Sequence, residues 1–203
     1  MAELLRNTRI MTRAEYLAFE EEAKAKHEFY AFPDSGDDLG LVVAMAGASL
    51  AHNQIVSNLA FGLRRHLHDR DCRVLTSDLR VQAGNRYYYP DVVALCDEPA
   101  IEPDVRPDTL VNPLVLVEVA SSSTSEVDRG KKLRAYAQLE SLREYWMVEQ
   151  DEPVITHATR SGDGWEVRFV RGLEGTLESP ALDVVLPMAD VYVLVDFPKP
   201  ERE

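Results

Sequence analysis

The sequence predicts a mixed α/β or α+β fold, with a central mixed β-sheet flanked by helices. Helical and extended periodicities alternate in the order helix, hairpin, helix, hairpin, strand, helix, strand, hairpin. One strand–helix–strand crossover, from "LVLVEVA" to "EYWMVEQ", points to a mixed sheet with helices packed on it. Gly84-Asn85, set between two extended runs, marks a tight hairpin turn.

Thr12 and Glu15 form a capping box that opens the first element, the helix "RAEYLAFEEEAKA". "HEFYAF" reads as a short strand, "PDSGDDLG" as a turn and "LVVAMAG" as the returning strand. Ser49 opens a long amphipathic helix in which Ile55, Val56, Leu59, Leu63 and Leu67 recur at helical spacing. The hairpin around Gly84-Asn85 follows, and the proline-containing stretch Glu98–Val111 reads as loop. After the strand at "NPLVLVEVA" comes a second long helix, about Glu126–Leu142. "EYWMVEQ" and a hairpin around Ser161–Gly164 complete the pattern. No internal repeat or low-complexity segment interrupts it.

The chain has 203 residues, 45% hydrophobic and 28% charged, which suits one globular domain over 1–203. No apolar run approaches the length needed to cross a bilayer, and the N-terminal segment has no apolar signal-peptide core. Cys72 and Cys96 are too few for a disulfide framework or a cysteine zinc site. The expectation is a cytoplasmic protein with two inert thiols, no membrane association and, from general frequency, a homodimer.

A net charge of −13 argues against tight, nonspecific binding to nucleic acid, which relies on cations neutralising phosphates. It leaves a nuclease open, because a local basic patch and bound divalent cations can offset the overall field. Such patches exist at Arg64, Arg65, Arg70 and Arg73, and at Arg129, Lys131, Lys132 and Arg134, although solvated helix faces are their ordinary role.

The chemistry gathers around two isolated carboxylates. In "NPLVLVEVASSST", Glu118 interrupts an apolar run that reads as a strand buried on both faces. An ionised carboxylate there costs several kcal/mol unless something compensates it. Asp91 poses the same problem between Pro90 and "VVALC". If the two strands are neighbours, the carboxylates converge, repel and raise each other's pKa. A divalent cation removes that repulsion and gives both groups a purpose.

The connection after Glu118 carries Ser123 with Glu126 and Ser125 with Asp128 at capping-box spacing. Lys132 lies four residues after Asp128 and four before Tyr136, so it borders the buried face of the helix. Lys131 lines up with Arg134 and points toward water. Lys132 is the better candidate to reach the carboxylates. Its plainer role is a surface pair with Asp128, contributing a few tenths of a kcal/mol.

"RYYYPDVVALC" and "PLVLVEVASSSTSEVDRGKKLRAYAQLESLREYWMVEQDEP" resemble the Uma2 family, also described as domain of unknown function 820. That family is similar in turn to the PD-(D/E)XK nucleases with their restriction-endonuclease-like fold. The resemblance runs from "TRAEYLAFEE" to "LPMADVY" and rests on the Pro-Asp, the Glu-Val and the Asp-Arg-Gly-x-Lys-x-x-x-Tyr string. It implies that Asp91 and Glu118 hold Mg²⁺ or Mn²⁺. The superfamily's lysine, two residues after the glutamate, is Ala120 in this chain. In the Uma2-like pattern Lys132 on the following helix serves instead, stabilising phosphate charge or positioning the attacking water. Glu28 in "KHEFY" matches an early glutamate, an outer ligand or water-binding group. The Asp-Gly that usually continues that segment is replaced by "AFPDSGDD".

His52 falls at the spacing of its helix's buried face and reads first as a packed or capping histidine. Asp78 alternates with Arg80 and reads as a supporting group or a solvent-facing one. Ser121 and Tyr136 lie close to the site in sequence. No Gly-x-Ser-x-Gly elbow and no phosphate-binding glycine loop is present. The leading expectation is a divalent-metal-dependent phosphodiesterase acting on nucleic acid, DNA foremost. A noncatalytic module on the same fold and a carboxylate-pair hydrolase of another substrate, such as a glycoside, stand as alternatives.

Overall fold

The computed structural model describes residues 8–32, 38–45, 47–76, 78–120 and 126–198. The capping boxes at Ser123 and Ser125, the Asp128 side chain, Ser121 and most of the "PDSGDD" turn lie outside the described residues. Within them, fourteen strands and four helices form two six-stranded sheets and a two-stranded ribbon.

The first described element is β1 (Thr8–Thr12), a strand that the sequence pattern does not announce. It pairs antiparallel with β3 (Leu39–Ala44), which also pairs with β2 (His27–Ala31) as the expected hairpin. Helix α1 (Arg13–Glu22) begins at the Thr12 capping box, both halves of which are formed. Strands β5 (Arg80–Ala83) and β6 (Arg86–Tyr88) form the Gly84-Asn85 hairpin, with Gly84 at φ +63°, where a side chain would be strained. The segment read as loop at Glu98–Val111 contributes one short strand, β8 (Thr109–Leu110), parallel to β5. The first sheet runs β1-β3-β2-β6-β5-β8.

The second sheet is built from β4 (Arg73–Thr76), β7 (Val92–Leu95), β9 (Val115–Ala120), β10 (Glu144–Glu149), β11 (Val154–Ser161) and β12 (Gly164–Arg171), in the order β12-β11-β10-β9-β7-β4. β9 and β10 are the parallel pair of the crossover, with Glu118 opposite Met147. Its helix, α3 (Glu126–Tyr136), ends earlier than the Leu142 expected from sequence. Arg160 explains the stop: its guanidinium donates to the carbonyls of Ala137, Leu139 and Leu142, capping the turns that replace a continued helix. β13 (Thr176–Ser179) and β14 (Val184–Pro187) form the ribbon, and α4 (Met188–Val191) follows.

The mixed α/β architecture expected from sequence is present, its strands divided between two six-stranded sheets that pack on each other. Helix α2 (Leu50–Leu67) covers one face of the second sheet, where Ile55, Leu59, Leu63 and Leu67 meet Val92, Ala94, Val115, Val117 and Trp146. The other face presents Val93, Leu95, Leu116 and Tyr145 to Val81, Ala83 and Tyr88 of the first sheet and to Ala135 and Tyr136 of α3. On the far side of the first sheet, Tyr16 of α1 packs on Phe29, Val42 and Tyr87. Strict alternation along β2 therefore sends Phe29 and Ala31 toward α1, and Glu28 and Tyr30 toward the second sheet.

Cys72 and Cys96 are joined in a disulfide, contrary to the expected separate thiols. The cause is register. β4 and β7 pair with Arg73 opposite Leu95, so the next rung sets the two cysteines against each other. Among the described residues no helix is long and apolar enough to cross a membrane.

A buried polar cluster ties the ribbon to the second sheet. Glu144 is fully buried and accepts from Trp146 Nε1 at 2.8 Å, His157 Nε2 at 2.9 Å and the Ala181 N–H at 2.7 Å. Burial pushes its carboxyl upward, but these three bonds together outweigh burial and hold it below its usual range. A carboxyl depressed in the folded state contributes stability above its unfolded value, near 4.5, that is lost as pH falls through the folded one. Glu144→Gln should therefore cost about 2–4 kcal/mol in urea unfolding at pH 7. The gap in Tm between the variant and the parent should narrow steadily below pH 4.5; a constant gap would show that the charge contributes nothing.

Candidate functional site

Glu118 points from β9 into the space between the two sheets. Residues on either side of it, Val117 and Val119, face the α2 core, so alternation leaves Glu118 on the α3 side. There the Lys132 ammonium lies 3.1 Å from both of its carboxylate oxygens, and the Tyr136 hydroxyl donates to Oε1 at 2.7 Å. Lys132 and Tyr136 are four residues apart, which puts both side chains on one face of α3.

The same ammonium reaches the first sheet. Lys132 Nζ lies 2.8 Å from Glu28 Oε1, and Tyr30 donates to the other Glu28 oxygen. Alternation along β2 puts this pair on one face, and the "HEFY" stretch carried that signal. One cation thus holds two buried carboxylates, one from each sheet.

Asp91 lies directly before β7 and is fastened on both sides of Glu118. Its N–H donates to the Val117 carbonyl at 3.1 Å, and its Oδ2 accepts the Val119 N–H at 2.7 Å. Its Oδ1 lies 3.0 Å from His52 Nε2. His52 sits in the first turn of α2, where the Ser49 hydroxyl caps its N–H at 3.0 Å. The histidine expected as packing or capping is therefore a direct partner of Asp91. The bond to Asp91 raises its pKa, against the opposing pull of burial.

Asp91, Glu118, Lys132 and His52 line one cleft of about 310 Å³, walled by Tyr30, Tyr89, Tyr145 and Met147. Glu118 is pushed up to about 7, by burial first; Lys132 pulls it down, while Asp91 and Glu28 push it further up. Burial opposes the charge on Lys132, but Glu118 and Glu28 together hold its pKa well above the ordinary value. The cleft therefore carries an excess of carboxylate over ammonium.

That donor set fits a hard divalent cation. Among the described residues no three His, Cys, Asp or Glu groups form a preformed cage. The Asp91–Glu118 pair could hold Mg²⁺ or Mn²⁺ with water or substrate oxygens completing the shell, as magnesium is ordinarily held. Ala120 also lines the cleft, at the position of the superfamily's lysine.

One of the remaining sequence candidates separates from the site. Asp78 takes the solvent-facing one of its two readings: its carboxylate is 83% exposed and pairs with Lys26 at 2.6 Å, on a residue with φ +87° outside any strand. It neither supports nor lines the cleft. Ser121 lies outside the described residues. Tyr30, Tyr145 and Met147 escaped the sequence reading because an apolar or aromatic residue at strand spacing reads as core.

The model of the Uma2 family, described as "Putative restriction endonuclease", matches residues 13–189, and the chain belongs to that family. Two proteins of Synechocystis sp. (strain ATCC 27184 / PCC 6803 / Kazusa) are related to it. "Uncharacterized protein sll1609" is 32% identical over 84% of this chain and 93% of that protein. "Uncharacterized protein slr1290" is 35% identical over 74% of each. The fold is similar to the crystal structure of "a putative nuclease belonging to DUF820" from Anabaena variabilis ATCC 29413. That likeness has a TM-score of 0.71 at 15% identity and covers 90% of this chain and 97% of that one. The restriction-endonuclease-like architecture expected from the sequence is thus the one observed.

If Lys132 joins the sheets through Glu28 and Glu118, Lys132→Met should destabilise the protein by about 3–5 kcal/mol, since it leaves two buried carboxylates facing each other. Adding Glu28→Gln should recover part of that loss. Urea unfolding of both variants measures it, and no recovery in the double variant would rule out the bridging role.

Proposed function

We propose that this protein is a divalent-metal-dependent phosphodiesterase that cleaves nucleic acid, DNA foremost, carried on one domain spanning 1–203. The observation that supports this reading best is the convergence of Asp91 and Glu118 with the Lys132 ammonium in one cleft. Membership of a family described as "Putative restriction endonuclease", and the likeness in fold to the Anabaena protein described as "a putative nuclease", support it as well.

In this reading Asp91 and Glu118 hold Mg²⁺ or Mn²⁺. When bound, such an ion would supply an activated water and shield the scissile phosphate. Lys132 places a positive charge beside the phosphate, where it offsets the charge that builds up during attack. Glu28 and Tyr30 fix the position of that ammonium. His52 and the Val119 N–H hold the Asp91 carboxylate in one orientation. Lys132 reaches Glu118 from α3, so Ala120 leaves no gap in the charge arrangement.

Plasmid DNA incubated with Mg²⁺ or Mn²⁺ should be cleaved. Lys132→Ala should slow cleavage by about 10²–10³-fold, and His52→Ala by about 10–100-fold. Asp91→Ala and Glu118→Ala should abolish both cleavage and the heat of Mn²⁺ binding in calorimetry. Circular dichroism should confirm that each variant is folded at the assay temperature. Equal activity in the parent and all four variants refutes the assignment, and metal binding without cleavage leaves a noncatalytic module on this fold.

A further inference from the structure

A second cavity, of about 580 Å³, adjoins the cleft and shares Tyr30 as a wall. One side is the outward stripe of α3, Lys131 and Arg134, three residues apart on the same face. Arg86, at the start of β6, adds a third cation. Tyr30, Phe32 and Tyr88 give it an aromatic lining. Tyr30 and Tyr88 pack edge to face at 5.2 Å, and Phe32 is 38% exposed at the rim. Among the described residues that line this groove there is no carboxylate. On a chain of net charge −13, a concave surface lined by three cations and, among the described residues, by no carboxylate is a local reversal of the field.

We propose that this groove binds an unpaired nucleic-acid strand leading into the cleft, an inference that rests on and extends the nuclease reading. The cations suit the phosphates of the strand. The Phe32 ring, exposed at the rim, suits a base, because every base has a face that can stack on an aromatic side chain. Such stacking selects against a duplex, whose bases are already covered by their own stack. Tyr30 lines both spaces, so a strand seated against Phe32 and Arg134 lies next to the cleft that holds Lys132 and Glu118.

The test is fluorescence anisotropy with labelled single-stranded DNA, single-stranded RNA and duplex DNA of one sequence, in EDTA so that binding is read without cleavage. Phe32→Ala should weaken single-strand binding by roughly 5- to 150-fold. Arg134→Ala and Arg86→Ala should each lower the slope of log Kd against log salt by about 0.7 for every phosphate that is no longer neutralised. Duplex DNA should bind more weakly and respond less to Phe32→Ala. Comparison of the DNA and RNA single strands tells which backbone the groove prefers. Unchanged single-strand Kd values in all three variants, or a duplex as tight and as sensitive as the single strand, overturn the proposal. Mg²⁺-dependent cleavage is measured separately on the same proteins. Cleavage with groove-independent binding sinks the groove alone, whereas groove-dependent binding without any cleavage sinks the nuclease reading and leaves the groove standing.

Discussion

The Lys132 ammonium is the interaction on which the arrangement of the two sheets turns. It lies 2.8 Å from Glu28 on the first sheet and 3.1 Å from Glu118 on the second. Each carboxylate alone, placed between packed sheets, would lose its water and gain nothing. Together around one cation they are held, with Tyr30 and Tyr136 filling remaining lone pairs. The apolar contacts between the sheets, Tyr88 and Val81 against Val93 and Leu116, are non-directional and would tolerate some sliding. The ionic bridge is directional, so it fixes which rung of β2 faces which rung of β9.

That bridge also sets the electrostatic character of the cleft. The carboxylates outnumber the ammonium, and Glu118 is pushed up to about 7 because burial and its acidic neighbours outweigh Lys132. A site in that state is primed for a further positive charge. Asp91 is held differently. Its carboxylate is tied to a backbone N–H of β9 and to His52 on α2, so its position is set by the sheet and by a helix that packs on the opposite face. The two acidic groups reach one cleft by separate structural routes, one through each side of the second sheet.

Much of this was legible along the chain. The Thr12 capping box, the Ser49 helix start, the Gly84-Asn85 turn and the β9–α3–β10 crossover all depend on residues within a few positions of one another, and local chemistry decides them. The site core was legible for a different reason. Isolated charges at Asp91 and Glu118 in apolar strands demand compensation, and the helical spacing of Lys132 and Tyr136 indicated where it comes from. What misled was local pattern without a partner. β1 is too polar to announce itself and exists because β3 offers it an edge. Asp78 shares the alternation of a strand, but lies outside one and faces water.

The sequence by itself determined most of the element order, the two unusual carboxylates and the lysine that answers them, because each follows from spacing within one segment. Only the tertiary structure decided that there are two stacked sheets and that Cys72 meets Cys96. It alone decided that His52 bonds Asp91, and that Glu28 shares the ammonium with Glu118 across 90 residues of chain. These pairings join segments far apart in sequence, and strand register and sheet stacking select them. Neither is encoded in any single window of residues.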